Sequence, residues 1–181
     1  MARVPFVSRE DLAPEDRHIW DDFAAPRAGR VENNPRMMLN SPQAAARIFA
    51  LNTYLRFNAG IPTKELAIAT LTAGAEAGSE YVVAWHRPSA LDKGVSEATV
   101  QAICDQTSLD GIPEDEALIA RYTRAVARTE MTDGIFDAAL EAYGVRMLMD
   151  ISVVVGQYTL MHLIGSAFGV SRDPDWEPLL V

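Results

Sequence analysis

The chain has 181 residues, enough for one domain with a full core. Hydrophobic residues make up 49% and charged residues 23%, the balance of an ordinary globular protein. A formal net charge of −9 without any Lys/Arg cluster argues against nucleic acid, whose phosphates need basic surfaces, but leaves room for a local arginine pocket that takes a carboxylate.

Helix signals dominate from the start. Leu12–Ala24 reads as a short amphipathic helix after Ser8 and Asp11, and Ala25–Pro35 (APRAGRVENNP) as a loop rich in Pro, Gly and Asn. Pro42–Phe57 is the next helix, with Ser41 as N-cap and Pro42 at the first helical position, closed by Asn58-Ala59-Gly60. Pro62 opens a helix that ends near Gly74–Gly78. Ser79 caps one running toward Lys93, with Gly94 placed as its C′ residue.

Ser96 caps Glu97–Asp105. Pro113 starts Glu114–Thr129, whose first turn holds acids where the helix dipole favours them. Thr132 or Asp133 caps a helix to Tyr143, and Gly144 separates it from a long final helix, Val145–Phe168. The tail 171–181 (SRDPDWEPLLV) reads as extended, with Trp176 expected to pack on a neighbouring subunit. No strand alternation is convincing, so the predicted fold is all-α and a single domain over 1–181, with its core at 41–170.

Ile151–Phe168 approaches the length of a membrane span. Gln157, His162 and Ser166 inside it, and Asp150 at its edge, would be costly in lipid. It is therefore expected to be the buried central helix of the bundle rather than a membrane helix. The N-terminal stretch lacks the apolar core of a signal peptide, and the lone Cys104 allows no internal disulfide or CxxC pair. Both features suit the cytoplasm.

The chemistry-bearing residues sit mainly in Ile61–Gly94. At about 100° per residue, Ser79, Val82, Val83, His86 and Ala90 share one helix face, apolar apart from Ser79 and His86. Glu80 points roughly 120° away from His86. On the preceding helix Glu65 aligns with Ile68, Ala69 and Thr72. Antiparallel packing is expected to bring Glu65 toward His86, which would make either a proton-transfer pair or a structural Glu–His contact.

Pro88 removes a helical hydrogen bond two residues beyond His86. His162 and Tyr158 share a face of the final helix. Arg30, Arg36 and Arg56 are each candidates for a bidentate grip on a substrate carboxylate. The three histidines have no metal-ligand spacing, so no metal is expected, and there is no Gly-rich phosphate loop.

These residues carry a resemblance. KELAIATLTAGAEAGSEYVVAWHRPSALDKGVSEATVQAI resembles the core of the carboxymuconolactone decarboxylase family, relatives of the AhpD alkylhydroperoxidases. The features are Glu65, Glu80-Tyr81 and His86-x-Pro88-x-Ala90-x-x-x-Gly94-Val95-Ser96. The flanks Ser41–Phe57 and Val154–Val170 resemble the outer helices of long members, so the resemblance spans about residues 10–170. It implies an all-α subunit that assembles as a homo-oligomer, a trimer or hexamer.

AhpD relatives use CxxCxxxH, but here the two thiol positions are Ser79 and Val82, so thiol peroxidase chemistry has no nucleophile. The decarboxylase branch works without a cofactor. The resemblance then implies a lyase or isomerase acting on a small carboxylate or lactone. His86 would be proton donor and Glu65 its partner, with Glu80, Arg56, Tyr158 and His162 lining the substrate pocket. The alternative is a non-enzymatic small-molecule binding or assembly member, for which Val82 and Ser79 speak. A pocket holding His86 and an arginine would favour the enzyme; a closed Glu65–His86 contact without a cavity would favour the alternative.

Overall fold

The structure is a computed structural model and describes residues 2–170. It contains α1 (Arg17–Ala24), α2 (Asn33–Met38), α3 (Pro42–Thr53), α4 (Thr63–Glu76), α5 (Glu80–Asp92), α6 (Glu97–Cys104), α7 (Glu114–Arg128) and α8 (Asp133–Phe168), with no strand among the described residues. The all-α expectation therefore holds. The predicted tail, with Trp176, lies outside the described residues.

Three predicted caps form as hydrogen bonds. Ser79 Oγ accepts from Val82 N, Ser96 Oγ from Thr99 N and Thr132 Oγ1 from Ile135 N, each satisfying an orphan donor of a first turn. Gly94 follows α5 at φ +80°, the left-handed conformation that favours glycine. Gly144, at φ +73°, kinks α8 between its two predicted halves.

The first helix, expected from Leu12, begins at Arg17 after a 3-10 turn at Pro14–Asp16, and two further boundaries differ from expectation. The loop predicted at Ala25–Pro35 already contains the start of α2. Pro35 is tolerated there because a first-turn N–H has no helical partner to lose. The burial of Asn33, Asn34, Met37 and Met38 holds this turn in place. The second difference is that α3 ends at Thr53 and passes into a widened π-type turn, Tyr54–Asn58, closed by Ala59 N to Tyr54 O at 2.8 Å.

The central helix is α4, which corrects the expectation placed on Ile151–Phe168. Every residue from Ala67 to Ala75 is buried, and α4 packs against α5, α6, α7 and α8. Its Ala, Thr and Gly side chains let neighbouring backbones approach. A methyl placed on Gly74 would collide with the Val82 side chain of α5. The final helix instead has two faces. Leu148, Ile151, Val154, Val155 and Tyr158 are buried, whereas Val145 and Met149 are 69% and 62% exposed, and Leu160 and Leu163 are also exposed. By length and composition, α8 is the one helix among the described residues apolar enough to cross a membrane.

A smaller apolar cluster, built on Leu12, Ile19, Phe23, Met37, Leu39, Ala45 and Phe49, lies beneath the N-terminal helices. It stands apart from the main core of α4–α8. The candidate site draws its walls from both.

Candidate functional site

A cavity of about 80 Å³ is walled by Phe23 from the smaller cluster and by Val82 and Tyr158 from the main core. It accommodates a few waters, or the reacting end of a small molecule. Phe23, Pro35, Val82, Trp85 and Met161 give it an apolar lining. Arg27, Glu32, Asn34, Asn52, Arg56, His86 and Ser89 supply the polar groups.

His86 keeps only part of its surface open, on this wall. Its ring meets that of Tyr158 edge-on, with centroids 5.2 Å apart and planes at 88°. Burial, then the positive charges of Arg56 and Lys93, push its pKa down to about 3, so at neutral pH the imidazole is uncharged. The helix runs unbroken through Pro88 and carries His86 one turn beyond Val82.

Arg56 lies in the π-type turn after α3, where an extra residue per turn re-aims side chains at functional sites. Tyr54, in the same turn, anchors it by donating its hydroxyl to Asp150 Oδ1 at 3.2 Å. The Arg56 guanidinium lies 5.5 Å from the Phe57 ring, and no carboxylate among the described residues pairs with it.

Arg27 is held differently. It donates from Nη1 to the Phe23 carbonyl at 2.7 Å and from Nη2 to Asn52 Oδ1 at 2.7 Å, and its guanidinium stacks 3.8 Å from the Phe23 ring centroid. Burial and then Arg56 lower its pKa to about 10, so it remains charged at neutral pH. Glu32 is the one carboxylate on the wall. Burial pushes its pKa up, against the opposing pull of Arg56, Arg27 and Arg30. The wall thus carries two arginines against one carboxylate, and a small anion would complete its charge.

Of the six sequence candidates, His86, Arg56 and Tyr158 meet on this cavity. Glu80 and His162 line a neighbouring hollow with Ser79 and Ser166. That hollow shares Asn34, Tyr81 and Met161 with the cavity. Glu65 does not join either group. It sits in the first turn of α4, and its charge helps raise the pKa of Tyr143, after burial. The expected Glu65–His86 pair is thus replaced by a cavity whose acid is Glu32.

Sequence reasoning also missed Arg27, Asn34 and Asn52. The first two lay in a stretch read only as loop, and Asn52 in a helix read only for its caps. Among the other arginine candidates, Arg36 is engaged with the carbonyls of Val7 and Phe6, which ties down the N-terminal segment.

Residues 42–128 match the model of the carboxymuconolactone decarboxylase family. No curated protein matches the sequence. Among solved structures, the alkylhydroperoxidase AhpD core of an uncharacterized peroxidase-related protein from Ralstonia eutropha JMP134 superposes with a TM-score of 0.77 at 17% identity, covering 96% of this chain and 93% of that one. The debrominase Bmp8, as a cysteine variant in complex with 2,3,4-tribromopyrrole, gives 0.75 at 18% identity, covering 96% and 95%. Bmp8 without ligand gives 0.74 at 19% identity, covering 93% and 90%. These likenesses establish the fold. At the position four residues before His86 this chain has Val82, and seven before it Ser79, whose hydroxyl is used as the α5 cap.

Proposed function

Starting from a chain that belongs to the carboxymuconolactone decarboxylase family through residues 42–128 and has an AhpD-like fold, we propose a cofactor-free acid–base enzyme, a decarboxylase or related lyase acting on a small carboxylate or lactone acid. The observation that carries this reading is a neutral, half-buried His86 on the same apolar cavity as Arg56, which no carboxylate among the described residues pairs. A cavity holding His86 and an arginine is the feature expected of the enzyme rather than of the non-enzymatic alternative.

The chemistry follows from the wall. Loss of CO2 from a carboxylate breaks a carbon–carbon bond and leaves its electron pair on a conjugated carbonyl. Arg56, backed by the fixed charge of Arg27, stabilises the oxygen that gains charge. Phe23, Val82, Trp85 and Met161 strip water from the departing carboxylate. The net reaction consumes one proton, which is delivered to carbon.

His86 is uncharged at neutral pH, chiefly because of burial, so it works as a neutral imidazole that passes its ring N–H proton to the new carbanion and regains one at its other nitrogen. Glu32 is a second proton carrier on the same wall.

The direct test is CO2 release from a panel of unsaturated lactone acids and aromatic acids, comparing wild type with Arg56→Met. Turnover should appear in the wild type and kcat/KM should fall about 100-fold in the variant, the scale for losing a charge aimed at the transition state. Turnover that is indifferent to Arg56→Met sinks the assignment.

The exposed stripe Val145, Met149, Leu160 and Leu163, at helical spacing along α8, is assigned to a homo-oligomeric contact. Wild type should then sediment as a multiple of its 19.8 kDa mass, and Met149→Glu should shift it toward the monomer. A monomeric wild type would refute that contact.

A further inference from the structure

The cavity contains an acceptor that the acid–base reading does not use. Asn34, in α2, is 3% exposed and forms part of both the cavity and the neighbouring hollow. Its Nδ2 donates to the Met161 carbonyl of α8 at 3.4 Å. A carbonyl can only accept, so this bond fixes which way the amide faces. Oδ1 is left buried, with no donor among the described residues. A buried acceptor without a donor is costly, and most such groups find a partner in protein, water or ligand.

The two arginines of the wall and Asn34 are complementary in kind. Arg27 and Arg56 donate only and call for an anion. Asn34 Oδ1 accepts only and calls for a hydroxyl or N–H. We propose that Asn34 is a specificity-determining residue that selects, among the small carboxylates taken by this cavity, those carrying a hydroxyl or N–H donor. A carboxylate without one leaves Oδ1 unpaired as it displaces water, which penalises it relative to the hydroxylated acid. This inference rests on the carboxylate reading of the site.

The test uses the intact protein and four small probes: butyrate and 2-, 3- and 4-hydroxybutyrate, titrated by NMR. Wild type should bind at least one hydroxybutyrate about tenfold more tightly than butyrate, the scale of one well-made hydrogen bond in a desolvated site. Asn34→Leu should reduce that preference to about twofold or less, read as the ratio of hydroxybutyrate to butyrate affinity within the variant. Asn34→Ala serves the same purpose should the leucine variant fold poorly.

Equal affinity of wild type for all four acids overturns the proposal, as does a preference that survives loss of Asn34. The carboxylate reading is tested separately in the same experiment. If butyrate fails to bind, or binds equally well to Arg56→Met, that reading falls and this inference with it. If butyrate binding depends on Arg56 but no hydroxyl is preferred, only the role of Asn34 is refuted.

Discussion

Replacing His86 with glutamine is expected to lower turnover by on the order of 10²–10⁴-fold, the range for loss of a general acid–base group, and to make the protein less sensitive to mild acid. Both effects have one origin. The folded protein holds His86 at about 3, against an ordinary value of 6.5. Above pH 6.5 the imidazole is neutral in folded and unfolded chains alike, and nothing is lost. Between 6.5 and about 3 the unfolded chain binds a proton that the fold refuses, so stability falls as pH falls. Each pH unit in that window is worth up to roughly 1 kcal/mol.

Glutamine keeps a polar planar side chain but cannot take the proton. Urea midpoints of wild type and His86→Gln at pH 7, 6 and 5 should therefore diverge, with the wild type losing more. Parallel midpoints would show that the imidazole is not held neutral, and unchanged turnover would remove it from the chemistry.

A second large effect is expected away from the cavity. Glu116 of α7 is 2% exposed and gathers Ser96 N at 3.2 Å, Ser96 Oγ at 2.8 Å, Thr99 Oγ1, and Lys64 Nζ at 2.7 Å. It thereby ties the start of α6 and the start of α4 to α7. Burial pushes its pKa up, but the hydrogen bonds from Lys64, Thr99 and Ser96 outweigh that, and the carboxyl lies below its usual range.

Glu116→Ala removes these bonds and strands their donors in a buried place. The expected cost is about 2–4 kcal/mol, seen as a fall in Tm of roughly 5–15 °C. Glu116→Gln, which keeps one acceptor, should fall between the two. A loss in the alanine variant below about 1 kcal/mol would mean that water replaces the carboxylate without penalty. The stability supplied by a lowered carboxyl is present above its unfolded value and lost as pH falls through the folded one. Its acid window therefore opens only near 4.5, well after the window of His86 has opened at 6.5, and the two variants separate them.

The helices were legible because their ends carry local chemistry. Ser79, Ser96 and Thr132 satisfy first-turn N–H groups of their own chain neighbours, so the residues that make each cap are adjacent in sequence. Gly94 and Gly144 mark left-handed or kinked backbone for the same local reason. His86 was legible as a polar residue on an otherwise apolar helix face. The widened turn at Tyr54–Asn58 was not, because its closing bond spans five residues in a stretch whose composition reads as ordinary helix.

The partner of His86 was misplaced for a physical reason. Helical periodicity says which face of α4 carries Glu65, but how far two helices slide and rotate against each other is set by their packing. Contact between Gly74 and Val82 joins α4 to α5, while Glu65 remains at the far end of α4, where it acts on Tyr143. The acid of the cavity comes instead from Glu32, and its second cation from Arg27, in a segment that looks featureless one residue at a time.

The sequence by itself determined the all-α fold, most helix ends, the absence of a thiol pair at Ser79 and Val82, and His86 and Arg56 as groups to watch. Each of these depends on a residue's identity or on neighbours within one helical turn. Only the tertiary structure decided that α4 rather than the final helix is central, and that Arg27, Glu32 and Asn34 face His86 across one cavity. Those facts depend on burial and charge shared between segments far apart in the chain, for which no local spacing provides a signal.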